Sequence, residues 1–116
     1  MNENVLRAGL LATARAMANN GLNAGTAGNA SVRSNSGFLI TPSGLSYDDC
    51  GPEDMSLMAM DGSWQGPFAP SSEWRIHRDI LAARPEAGAV LHAHSPFATA
   101  LACLRRNIPA FHYMIA

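Results

Sequence analysis

The sequence predicts an α/β domain, and three observations predict it. Apolar residues recur at helical spacing in separate stretches, and short strand-like runs bounded by Ser, Asn, Gly and Pro lie between them. With 116 residues, 47% of them apolar and 15% charged, the chain can build one core and has no room for a second.

The elements follow in order. Residues 3–19 carry Val5, Leu6, Leu10, Ala14 and Met17 at helical spacing, and Asn20-Gly21 stops the run. A small-residue loop follows, from Leu22 through Gly25, Thr26 and Gly28 to Asn29. Residues 30–33 and 38–41 read as two strands around Ser34-Asn35-Ser36-Gly37, and Pro42-Ser43-Gly44 breaks the second. Asp61-Gly62, between residues 55–60 and a segment near Trp64, signals a second hairpin. Ser71 and Ser72 offer cap oxygens to a helix over about 73–83, which Arg84-Pro85 closes. Residues 87–94 read as a strand, and Pro96 starts a helix over about 97–104, as Pro does at a first turn. A last strand is expected over 108–115. Leu6, Leu10, Ile76, Ile80 and Leu81 are the expected core of the helices.

Composition removes several function classes. Net charge is −1, so neither a polybasic nucleic-acid face nor an acidic tail is available. All eight basic residues are Arg, which excludes Schiff-base chemistry and the P-loop lysine. Two cysteines, Cys50 and Cys103, are too few for a disulfide scaffold and suit a reducing cytosol. Arg7 and Arg15 interrupt the N-terminal apolar stretch, so neither a signal peptide nor a membrane span is expected there.

The chemistry-bearing residues each admit a plain reading. His92 and His94 stand two apart on an expected strand, so both rings project from one face and can converge on a metal. Two buried histidines bonded to backbone would give the same spacing. Glu73 opens a helix, where the dipole favours an anion whether or not it has chemistry to do. Ser71 and Ser72 read equally as caps or as phosphate ligands. The loop Gly25-Thr26-Ala27-Gly28-Asn29 and the turn Ser43-Gly44 read as turns or as nests of N–H groups around a phosphate. His77, four residues after Glu73, reads as a core or hydrogen-bonded histidine.

Taken in order, these pieces resemble the class II aldolase/adducin family. The resemblance rests on the stretch from Gly21 to Arg33, on Leu39-Ile40-Thr41-Pro42-Ser43-Gly44, and on Pro70-Ser71-Ser72-Glu73-Trp74-Arg75. It continues through Ala89-Val90-Leu91-His92-Ala93-His94 and from Ile108 to Ala116. It spans this chain and about the N-terminal half of the family domain, so residues 1–116 are expected to be one part of a longer protein. The fold it implies is a three-layer α/β/α sandwich around a mostly antiparallel sheet, its first half encoded here.

The activity the resemblance implies is metal-dependent cleavage of a phosphorylated ketose such as L-fuculose-1-phosphate to dihydroxyacetone phosphate and an aldehyde. In that reading His92 and His94 are zinc ligands, joined by Glu73, while the family's third zinc histidine lies beyond residue 116. Glu73 is also the acid/base, acting on a zinc-held enediolate. Thr26, Gly28, Asn29, Ser43, Gly44, Ser71 and Ser72 hold the substrate phosphate, and Tyr113 reaches the site of a neighbouring subunit in a homotetramer. The implied location is the cytoplasm, with no nucleic-acid or membrane partner. The expected alternatives are a family decarboxylase of a phosphorylated 3-oxo sugar acid and a non-catalytic adducin-type assembly domain. The shortened chain alone is expected to be inactive.

Overall fold

The computed structural model describes residues 2–22 and 27–107. Helix α1 (Glu3–Asn19) opens on Asn2, whose side-chain oxygen accepts from the Val5 backbone N–H at 2.9 Å and so satisfies one of the free first-turn donors. Strands β1 (Asn29–Ser34) and β2 (Gly37–Ile40) form the expected hairpin. Two 3₁₀ turns, Tyr47–Asp49 and Pro52–Asp54, lead to β3 (Ser56–Met58) and β4 (Trp64–Gln65). Helix α2 (Trp74–Ala83), strand β5 (Ala89–His92) and helix α3 (Pro96–Cys103) complete the described chain.

The five strands make one antiparallel sheet in the order β4-β3-β2-β1-β5. Alternation along the strands sends Leu39 and Ala30 to one face, where Leu10, Leu11, Ala14 and Met17 of α1 cover them. Phe38, Ile40 and Met58 point to the other face, beneath Leu81 of α2. The described residues are therefore helix, sheet and helix in three layers, as expected.

Arginines join the layers. Arg15 donates to the carbonyls of Tyr47 (3.0 Å) and Cys50 (2.7 Å), tying α1 to the first 3₁₀ turn. Arg7 reaches the Met55 carbonyl at 2.7 Å. Arg33, on β1, donates to the carbonyls of Leu81 (2.7 Å), Arg84 (3.0 Å) and Ala87 (2.9 Å), placing a cation at the C-terminal end of α2 and the turn that follows it.

Three expectations need correction. Ile76 and Ile80 are exposed, because α2 turns Trp74, His77 and Leu81 to the sheet, a stripe that leaves the 76/80 stripe facing out. Strand β5 ends at His92, not His94, because its ladder partner β1 begins at Asn29, directly opposite. At α2 the cap position belongs to Glu73, which makes no side-chain capping bond, and Ser71 offers its oxygen one step earlier, accepting from the Glu73 N–H at 3.3 Å within a turn closed by Trp74 N–H on the Ser71 carbonyl (3.1 Å). The expected strand over 108–115 lies outside the described residues.

Candidate active site

Three segments far apart in sequence meet at one end of the sheet. The ladder places His92 opposite Asn29, so their side chains share the face that α2 covers. Beyond β2, the Ser71 N–H donates to the Thr41 carbonyl and the Ser43 N–H to the Ala69 carbonyl, both at 3.0 Å, which lays the 41–44 turn against the entry to α2. Thr41 also accepts from the Ala30 N–H through Oγ1 at 3.2 Å, and the buried Tyr47 hydroxyl donates to the Gly28 carbonyl at 3.1 Å. These bonds draw the 27–29 loop beside the other two segments. Gly28 and Gly44 have φ of 85° and 71°, backbone turns that a side chain would strain.

The result is a cavity of about 390 Å³ lined by Ala27, Gly28, Asn29, Pro42, Ser43, Gly44, Ser71, Ser72, Glu73 and His94. Six of the seven residues expected around a phosphate line it; the seventh, Thr26, lies outside the described residues, as does Tyr113. Its polar lining is the hydroxyls of Ser43, Ser71 and Ser72, the Asn29 amide and glycine backbone, with the Glu73 carboxylate and the His94 imidazole beside them and no arginine among the residues named, so at the hydroxyl end an anion would be met by neutral donors and the backbone.

Glu73, His92 and His94 stand at its edge, with one donor atom from each within 4.8 Å of the others. The two imidazole rings are 4.7 Å apart, centre to centre, at 44°. His94 lies past the strand end, yet the rings converge as the two-residue spacing implied. His92 Nδ1 is sealed from solvent and lies 2.5 Å from Glu73 Oε2, but the two do not meet at a hydrogen-bond angle, and Nδ1 has no other partner among the described residues. A buried nitrogen brought against a carboxylate oxygen with no hydrogen bond between them is the arrangement of two donors aimed at one point. Imidazole nitrogens and a carboxylate are also the donor types a divalent zinc-like ion takes, and three protein donors is the usual number at a catalytic zinc. The residues fit the ion.

His77 is fully buried between the site and the sheet. Its Nδ1 lies 2.6 Å from Ser31 Oγ, and its Nε2 bonds Asn29 Oδ1. Burial, with His92 nearby, pushes its pKa down to about 4 against a smaller opposing pull from Glu73, so the ring is neutral at ordinary pH. This bears out the hydrogen-bonded reading of His77. The partners Ser31, Thr41 and Tyr47 were not legible beforehand, because each acts through a contact that the sheet register creates.

Known proteins share the sequence and the fold. The profile of the family described as "Class II Aldolase and Adducin N-terminal domain" matches residues 8–116. The 5-methylthioribulose-1-phosphate/5-deoxyribulose-1-phosphate aldolase of Rhodospirillum rubrum is 60% identical over 96% of this chain and 50% of its own length. The L-fuculose phosphate aldolase of Escherichia coli is 43% identical over all of this chain and 54% of its own. The solved structure of an L-fuculose 1-phosphate aldolase superposes with a TM-score of 0.88 at 36% identity, covering 94% of this chain and 53% of that one. The chain thus spans about half the length of the relatives it matches. The profile match over residues 8–116, with these identities and the superposition, places the chain in the class II aldolase/adducin family.

Proposed function

We propose that the protein to which this chain belongs is a metal-dependent aldolase that cleaves a ketose 1-phosphate to dihydroxyacetone phosphate and an aldehyde. The observation that carries the reading is the single cavity in which Glu73 and His94 meet Asn29, Ser43, Gly44, Ser71 and Ser72. A phosphate held by those hydroxyls, the Asn29 amide and the backbone of Gly28 and Gly44 sets the sugar over Glu73. Thr26 joins that group in the same reading. Held by His92, His94 and Glu73, a divalent ion such as zinc supplies Lewis-acid stabilisation of charge developing on the ketose oxygens.

Glu73 then does the proton work. Its carboxylate, half-buried beside His92, takes the proton from the hydroxyl whose carbon–carbon bond breaks and returns a proton to the carbon left on the ketone side. These 116 residues hold no Lys, so within them the site's means of steadying that electron pair is the Glu73, His92 and His94 donor set rather than an enamine. Tyr113 serves the site of a neighbouring subunit in a homotetramer of cytoplasmic enzyme. Similarity to the Rhodospirillum rubrum aldolase supports a 5-substituted ribulose 1-phosphate as the substrate, ahead of L-fuculose-1-phosphate.

The test is direct. The full natural chain is assayed for bound metal and for aldehyde release from 5-methylthioribulose-1-phosphate, 5-deoxyribulose-1-phosphate and L-fuculose-1-phosphate, with and without chelator. Chelator-sensitive release from at least one of them is expected. Bound metal with no cleavage would shift the assignment to decarboxylation of a phosphorylated 3-oxo sugar acid, and a metal-free protein would return it to an assembly domain.

A further inference from the structure

We propose that His77 is a positioning residue that, locked by Ser31, holds the Asn29 side-chain oxygen and so presents the Asn29 amide N–H₂ to the phosphate cavity. The inference rests on the cavity's reading as a phosphate site and adds to it the device that orients one of its donors.

The argument is one of buried protons. A neutral imidazole has one donor nitrogen and one acceptor, so the Ser31–His77–Asn29 chain can run in two directions. In one, the Ser31 hydroxyl donates to Nδ1, and Nε2–H donates to Asn29 Oδ1. In the other, Nδ1–H donates to Ser31, and the Asn29 amide must turn round to donate to Nε2. Ser31 is 1% exposed and makes no further side-chain bond among the described residues. The second direction therefore strands its hydroxyl proton without an acceptor, a cost the first avoids.

The first direction has a consequence at the cavity. With Oδ1 taken, Nδ2 is the free branch of Asn29, a residue that lines the cavity while being 5% exposed. Nδ2 donates to nothing among the described residues and is not one of the sealed, unpartnered atoms, so its opening is toward the cavity. Reversing the chain would point a carbonyl oxygen at a phosphate instead. Asn29 distinguishes a sugar phosphate from an uncharged sugar through a proton whose direction Ser31 and His77 decide, from a layer behind the site.

The test uses the full natural chain. Nitrogen NMR of His77 is expected to show the Nε2–H tautomer, and the Nδ1–H tautomer would overturn the proposal. His77→Leu is expected to raise KM for the ketose phosphate and the inhibition constant for inorganic phosphate about ten-fold, with kcat and bound metal little changed. His77→Gln, which keeps a donor amide on the α2 side of Asn29, is expected to recover most of that loss. Ser31→Ala, which frees the ring to change tautomer, is expected to raise both constants about three-fold, and it keeps the question answerable if His77→Leu does not fold. A fall in kcat or metal content with phosphate binding unmoved would overturn the positioning role. The cavity reading fails separately: inorganic phosphate that inhibits Asn29→Ala and Ser71→Ala as well as the parent is not bound there.

Discussion

A buried histidine that must stay neutral makes stability depend on pH, and the direction follows from its surroundings. His77 titrates near 4 in the folded protein and near 6.5 when unfolded, because burial disfavours its charged form and His92 adds to the effect. Between those values the unfolded chain binds the extra proton, so stability falls as pH drops from about 6.5 to 4 and changes no further below that. The contribution lost is on the order of 3 kcal/mol. Urea melts at pH 7, 5.5 and 4.5 on the parent and on His77→Gln measure it, since the carboxylates are common to both. A parent curve that tracks the variant across that window would disprove the linkage. At this scale the sequence was partly readable. His92 and His94 were a weak signal by residue type and spacing, Glu73 entered through the family resemblance, and the three converge. The bonds of His77 did not, because its partners Asn29 and Ser31 lie 48 and 46 residues away and reach it by packing α2 on β1.

Among the elements, α2 depends most on a single side chain outside itself. Arg33 is the cation at its C-terminal end and accounts for the carbonyls of Leu81, Arg84 and Ala87 at once. Truncation leaves the partly buried Leu81 and Ala87 carbonyls unmet, while the exposed Arg84 carbonyl keeps its bond from the Ala87 N–H, so Arg33→Ala is expected to cost about 2–3 kcal/mol. Arg33→Lys is expected to recover less than half, since one ammonium cannot span the three carbonyls as a planar fork does. Chemical denaturation with an unchanged m-value checks both; a loss below about 0.5 kcal/mol would mean that the arginine merely decorates the helix end. Element types were legible where local chemistry decides them, as at the Asn20-Gly21 stop of α1, the Gly37 turn and the Asp61-Gly62 hairpin. Where pairing decides, they were not. Strand β5 stops at His92 because β1 has no residue left to pair, and the helix face bearing Ile76 and Ile80 looked like core because apolar spacing cannot say which of two stripes meets the sheet.

For the molecule as a whole, the site is a tie between parts that the chain visits at widely separate times. Glu73 stands at the entry to α2, while His92 and His94 stand at the end of β5, which among the described residues is an edge strand paired with β1 alone. The family resemblance supplied the three-layer plan in advance. That the sheet brings the 27–29, 41–44 and 71–73 segments to the same end as β5 became visible from the ladder register and from the bonds of Thr41. An ion held by these three side chains binds the folded chain and not the unfolded one, so it stabilises the whole by mass action, about 2.7 kcal/mol at a hundred-fold excess over Kd. For a chain of the relatives' length, about twice this one, that is a rise in Tm of roughly 5–10 °C. Chelator is therefore expected to lower Tm of the full natural chain by that amount and to leave His92→Ala, already without a ligand, unmoved. Equal shifts in the two proteins would show that the metal acts elsewhere, and no shift in the parent after verified metal loss would show that the ion does not join β5 to α2.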